Sequence, residues 1–166
     1  MHPNPSADPN AEANREVRVL ADQLERGFYG GAWHGPALQE ALEGLDAAAA
    51  HHRVGPGVKT AWEIVHHLTT WQGIAARRIR GEAPRVTPEE DWPPVVEASK
   101  EAWQAAVEAL EARHRELYRT VKGLDDARLD DAVAGSDPTV RGLLLGTLQH
   151  NSYHAGQIAL LKKAGP

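Results

Sequence analysis

Cysteine is absent from the 166-residue chain, and that absence removes a disulfide framework, any cysteine nucleophile and any thiolate ligand. A bound metal must therefore be held by nitrogen and oxygen. Basic charge is short as well: 18 Lys and Arg against 23 Asp and Glu leave a formal charge of −5 with His neutral, which gives no electrostatic footprint for a nucleic acid. Long apolar runs are missing, none approaching the roughly 20 residues of a membrane span. The start, Met1-His2-Pro3-Asn4-Pro5, lacks the basic-then-apolar build of a signal peptide. Together these absences predict a cytoplasmic protein with neither a nucleic-acid nor a membrane partner.

What is present is helical periodicity and histidine, of which there are nine. A chain of this length fits one domain with a core of its own. Residues 1–12, rich in Pro, Asn, Ser and Asp, read as a loosely packed tail, and residues 13–166 as the domain. Val17, Leu20, Leu24 and Phe28 recur at helical spacing up to Gly30-Gly31. Leu38, Ala41, Leu42 and Leu45 mark one shorter connecting helix after Gly35-Pro36. Thr60-Ala61-Trp62-Glu63 has the form of a capping box, opening a helix toward Gly81 with Ile64, Leu68, Trp71, Ala75 and Ile79 on one stripe. The Pro-rich stretch from Pro84 to Pro94 cannot be a regular helix throughout and is expected to cross one end of the bundle. A long helix is expected from Val95 through Trp103, Val107, Leu110, His114, Leu117 and Val121, closed by Gly123. An acidic loop then leads to Asp137-Pro138, expected as cap and first position of the last helix. Four substantial helices, a short extra one and no strand pattern predict an all-α four-helix bundle, whose cofactor sites are built between facing helices.

Helix geometry sorts the histidines. His150 and His154 stand at i and i+4, with Cβ atoms about 6 Å apart, close enough to share an ion. Both lie on the face of Leu143, Leu144, Thr147 and Ile158, which turns inward. At about 100° per residue, His67 falls beside the Ile64–Trp71 stripe whereas its neighbour His66 points nearly opposite. His67 is thus expected inside and His66 in water. His51-His52 point apart and read as surface. His114 lies in an apolar stripe, where a single buried His is more often hydrogen-bonded than metal-bound. Trp33 and His34, at a glycine-rich junction, read first as a Trp plugging a core edge and a His capping carbonyls.

Trp62-Glu63-Ile64-Val65-His66-His67-Leu68, together with His150-Asn151-Ser152-Tyr153-His154-Ala155-Gly156-Gln157-Ile158, resembles the DinB/YfiT-like family of metal-binding helical bundles. The resemblance spans most of the chain after the tail. It implies that the His before Leu in the second long helix and the His-x-x-x-His pair of the last are the metal ligands, which here are His67, His150 and His154. It also implies an up-down-down-up bundle, often dimeric, with zinc, nickel or a similar ion. Characterised members of that family are thiol-dependent S-transferases and a mycothiol-dependent maleylpyruvate isomerase, while many have no assigned reaction.

Three imidazoles leave at least one coordination position open, the pattern of a catalytic rather than a structural site. Nitrogen ligands suit zinc or nickel first, with iron or manganese behind. An open position can activate a water for hydrolysis or take a small-molecule thiol for attack on an electrophile. A hydrolase needs a base, for which Glu63, one turn before His67, is the candidate, although its capping role explains it equally well. Tyr153 and Gln157 stand ready as supporting or substrate contacts. The favoured expectation is a homodimeric metal-dependent transferase taking a low-molecular-weight thiol. A metal-dependent hydrolase and a non-catalytic metal-binding or dimerisation module are the alternatives.

Overall fold

The computed structural model describes residues 13–135 and 138–165, so the expected tail at 1–12 lies outside the described residues. Among these the chain is helical, with one isolated bridge pairing Ala132 and Thr139 and no strand. Its elements are α1 (Arg15–Tyr29), α2 (Leu38–Leu42), α3 (Ala47–His51), α4 (Ala61–Ile79), α5 (Pro88–Asp91), α6 (Lys100–Lys122), a 3-10 turn (Asp126–Asp130) and α7 (Val140–Lys163).

The periodic stripes become the buried faces. Helix α1 buries Val17, Leu20, Leu24 and Phe28 as their spacing requires. Its start is set from far along the chain, because the free amides of Glu16 and Val17 donate to the Asp126 carboxylate at 3.2 and 2.9 Å. That carboxylate supplies the cap that Asn14, in a left-handed conformation with φ 59°, does not. Helix α4 starts with the expected capping box: the Glu63 amide donates to Thr60 Oγ1 at 3.2 Å and Glu63 Oε2 accepts from the Thr60 amide at 2.8 Å.

Several boundaries differ from expectation, each for a local reason. The connector after α1 is two short helices rather than one, since Asp46 Oδ1 accepts the Ala49 amide at 2.8 Å and starts α3 afresh. Helix α6 begins at Lys100, not Val95, because Ser99 takes the cap by accepting from the Ala102 amide at 3.1 Å. Helix α7 begins at Val140 with Thr139 as its cap. Pro138 remains outside it, its carbonyl accepting from Val133 at 3.2 Å. The expected cap Asp137 lies outside the described residues. The acidic loop holds the 3-10 turn, with Leu129 buried beneath it.

Buried apolar side chains divide into two clusters. One joins Phe28, Trp62, Ile64, Leu68, Trp103, Leu110 and Ile158; the other joins Val17, Leu24, Ile79, Leu117, Val121 and Leu144. The early residues of α4 and α6 therefore share an end with the late residues of α1 and α7. Helices α4 and α6 run one way, and α1 and α7 the other. Between the clusters, α4 carries His67 and Gln72, α6 carries His114, and α7 carries Thr147, Asn151 and His154, all buried. This polar waist interrupts an otherwise apolar interior.

The same arrangement corrects the expected path of the Pro-rich linker. The successive long helices α4 and α6 run in the same direction, so the segment between them must travel the length of the molecule rather than cross one end. On the way it makes the single turn α5, capped by Thr87 and Glu90, and lays Asp91 and Trp92 against the waist.

Candidate metal centre

His67 from α4 and His150 and His154 from α7 meet at the waist. Their Nε2 atoms converge: His150 Nε2 lies 2.9 Å from that of His67 and 3.1 Å from that of His154. Each of the three offers one ligand atom, and these atoms lie within 4.8 Å of one another. Tetrahedral coordination at about 2.0–2.1 Å separates nitrogen ligands by about 3.3 Å, so small side-chain adjustments would admit an ion.

The opposite ring nitrogens fix the tautomers. His67 Nδ1 donates to the Asp91 carbonyl at 2.8 Å, with Asp91 Oδ1 3.1 Å away, and Trp71 holds that carboxylate by an indole N–H bond of 2.6 Å. His154 Nδ1 donates to Gln157 Oε1 at 2.7 Å, and the Gln157 amide donates in turn to the Tyr153 hydroxyl at 2.9 Å. With their protons on Nδ1, His67 and His154 present Nε2 lone pairs to the same point. A single N–H on His150 can satisfy only one of them, whereas a cation satisfies all three. The donor set therefore fits a divalent ion.

Electrostatics keeps the pair on α7 neutral, as ligands must be. Burial pushes His150 down from 6.5 to about 4, helped by His154 and His67 and opposed by Asp91. Burial also lowers His154, against the Gln157 hydrogen bond, with His67 adding to the depression. Trp92 covers the remaining ring face, stacked on His67 at 3.9 Å between centroids and 8° between planes.

The other histidines stand apart. His66 does not face water: it is half-buried, accepting from the Trp62 indole at 3.1 Å and lying 3.3 Å from the Pro93 carbonyl. The linker covers the helix face that periodicity alone leaves open. His114 is buried, stacked on Phe28 at 3.9 Å and bonded to Glu25 Oε1 at 3.2 Å. Trp33 plugs nothing, being fully solvent-exposed at 101 %, and His34 beside it is exposed as well. The Glu63 carboxylate is taken up by the Thr60 amide, by Arg53 at 2.9 Å and by Lys59 at 3.6 Å. Burial pulls its pKa upward, but these partners outweigh it and the carboxyl stays below its ordinary value.

Asp91, Trp92 and Trp71 are the site residues that sequence reasoning did not single out. The available signal was Thr87-Pro88-Glu89-Glu90, a second capping box with Pro at the first helical position, which marks α5. A cavity of about 620 Å³ opens beside the histidines, with His154, Trp92, Tyr153 and Gln157 in its wall. A larger one, about 940 Å³ near Leu42, Trp103 and Lys100, includes none of the three histidines, so the smaller cavity is the one that adjoins them.

The described residues form helices without strands, and three imidazoles converge between two antiparallel helices, which defines a class of helical protein with a histidine group that could hold a divalent ion. The chain belongs to the DinB superfamily, whose family model matches residues 32–158. Neither a curated protein nor a solved structure matches it.

Proposed function

We propose that His67, His150 and His154 hold one divalent ion, zinc or nickel ahead of iron or manganese, and that the protein uses it to transfer a low-molecular-weight thiol to an electrophile. The observation that carries this reading is the convergence of the three Nε2 atoms, two of them with lone pairs turned inward by hydrogen bonds at the opposite ring nitrogens. In this reading residues 13–166 form one domain, a four-helix bundle of up-down-down-up order made by α1, α4, α6 and α7. The protein works in the cytoplasm as a homodimer. No helix among the described residues is long and apolar enough to cross a membrane.

A bound ion would supply Lewis acidity, lowering the pKa of a thiol held against it from the usual range of roughly 8 to 9. The chain's own groups do the rest. Asp91 and Gln157 orient two ligands, Trp71 fixes Asp91, and Trp92 excludes water from one side of His67. The sulfur loses its proton to solvent and its lone pair forms the new bond to the electrophilic carbon, whose leaving group departs with the displaced electron pair. This transfer needs no protein base. Hydrolysis would favour one, and both nearby carboxylates are engaged, Glu63 by Thr60 and Arg53 and Asp91 by Trp71 and His67. Glu63 accordingly serves as helix cap.

Elemental analysis of purified variants tests the ligand set. His67→Ala, His150→Ala or His154→Ala should each strip the ion, and His66→Ala should keep it. Metal retained in His67→Ala and lost in His66→Ala would overturn the assignment.

A further inference from the structure

The cavity beside His154 carries more information than its position. It lies between the segment from Val54 to Lys59 and the last turns of α7, and its wall is mostly apolar, with Val54, Val58, Ile64, Leu160 and Leu161. Val54 and Val58 are 41 % and 40 % exposed, Tyr153 63 % and Leu160 68 %, so apolar surface gathers at this mouth. Scattered exposed apolar residues need no explanation, but a contiguous group rimming a cavity does.

Among the described lining residues Lys59 is the one lysine or arginine and none carries a carboxylate. Its ammonium lies 4.6 Å from the Trp92 ring centroid and 3.6 Å from Glu63 Oε1. That carboxylate is already matched more closely by Arg53 at 2.9 Å and by the Thr60 amide. The local sum of Lys59, Arg53 and Glu63 is therefore one net positive charge, presented over an aromatic ring. Trp92 ties this feature to the histidines, since its ring centroid is 3.9 Å from that of His67 and 6.1 Å from that of His154.

We propose that this cavity binds the electrophilic substrate, a monoanion with an apolar, ring-sized body, the body lying between Val58, Leu160 and Trp92 and its carboxylate or sulfonate pairing with Lys59. The inference rests on the reading of the histidines as a reactive centre, because it places the acceptor's reacting end next to His154. Recognition works as in other small-molecule sites: apolar surface supplies affinity and one placed charge supplies orientation.

The test uses two fluorescent probes of nearly the same shape, anionic 8-anilinonaphthalene-1-sulfonate and uncharged N-phenyl-1-naphthylamine, titrated into the full-length protein. Lys59→Met should weaken the sulfonate about five- to tenfold, the size of one partly exposed charge pairing, and leave the neutral probe within about twofold. Leu160→Glu should weaken both. The titration needs no turnover, and the same Lys59→Met difference should appear in the His150→Ala background, so failure of the metal reading would be seen separately. The proposal is overturned if Lys59→Met affects neither probe or both alike, or if both bind Leu160→Glu as well as the native chain. It is also overturned if Leu160→Glu halves the mass by light scattering while probe binding survives, which would make the rim an interface between copies.

Discussion

The Trp92 indole lies flat on the His67 imidazole, 3.9 Å between centroids with the planes 8° apart. The contact joins a residue of the linker to a helical histidine and holds that ring on its second side, Asp91 fixing the edge. Trp92→Ala should therefore weaken metal binding without removing a ligand, by about 10- to 100-fold, the usual range for a lost supporting contact. Competition against a calibrated chelator measures it. Affinity unchanged within about threefold would show that the stack contributes only cover.

Gln157 acts through His154. Its Oε1 accepts from Nδ1 at 2.7 Å and so keeps the lone pair on Nε2. Gln157→Leu should lower metal affinity about tenfold, whereas Gln157→Glu, which still accepts, should restore it to near the native value. Tyr153→Phe, which removes only the acceptor of the Gln157 amide, should cost less than Gln157→Leu. The same chelator competition separates the three variants.

Away from the three clustered histidines, His114 gives a pH prediction. Burial, with Arg115 adding, pushes its pKa from 6.5 down to about 4. Its N–H to Glu25 is thus a hydrogen bond from a neutral ring rather than an ion pair, and its Nδ1 has no partner among the described residues. In the unfolded chain the ring ionises near 6.5, and in the folded chain only near 4, so the unfolded state takes up the proton first as pH falls. The contribution is fully present above about 6.5 and is lost progressively down to about 4. Its full size is about 3 kcal/mol at about 1.4 kcal/mol per pH unit. Urea unfolding at pH 7 and pH 4.5 should show a smaller fall in stability for His114→Gln than for the native chain. Equal falls would contradict the assignment.

Much of this was legible from residue spacing, because helices write their buried faces into a period of 3.6. His67 separates from His66 on that rule, and His150 and His154 share a face. The four long helices follow from the stripes through Leu24, Leu68, Leu110 and Ile158. Asp91 and Trp92 were not legible, since a Pro-rich crossover has no period and its course depends on the directions of the helices it joins. The same crossover explains His66, outward by periodicity yet covered by Pro93. Helix starts moved to Ser99 and Thr139 because a hydroxyl that reaches the amide three residues on decides the first turn, which the spacing of apolar residues does not register.

Assembly is open to a direct check. With Trp33 at 101 % and Val96 at 93 % exposure, both away from the cavity mouth, the expected homodimer should appear as twice the chain mass in light scattering at micromolar concentration. A single-chain mass at high micromolar concentration would contradict it.

The most direct test of the account is a thiol titration of the cobalt-substituted protein. Three histidine ligands with an open position should give a visible spectrum that gains a sulfur-to-metal charge-transfer band as a low-molecular-weight thiol is added, and His154→Ala should lose both the ion and the band. If no thiol perturbs the spectrum while an ester or amide is turned over with a rate rising through about pH 7, as an ion-activated water requires, the thiol-transfer account is contradicted and the centre is hydrolytic.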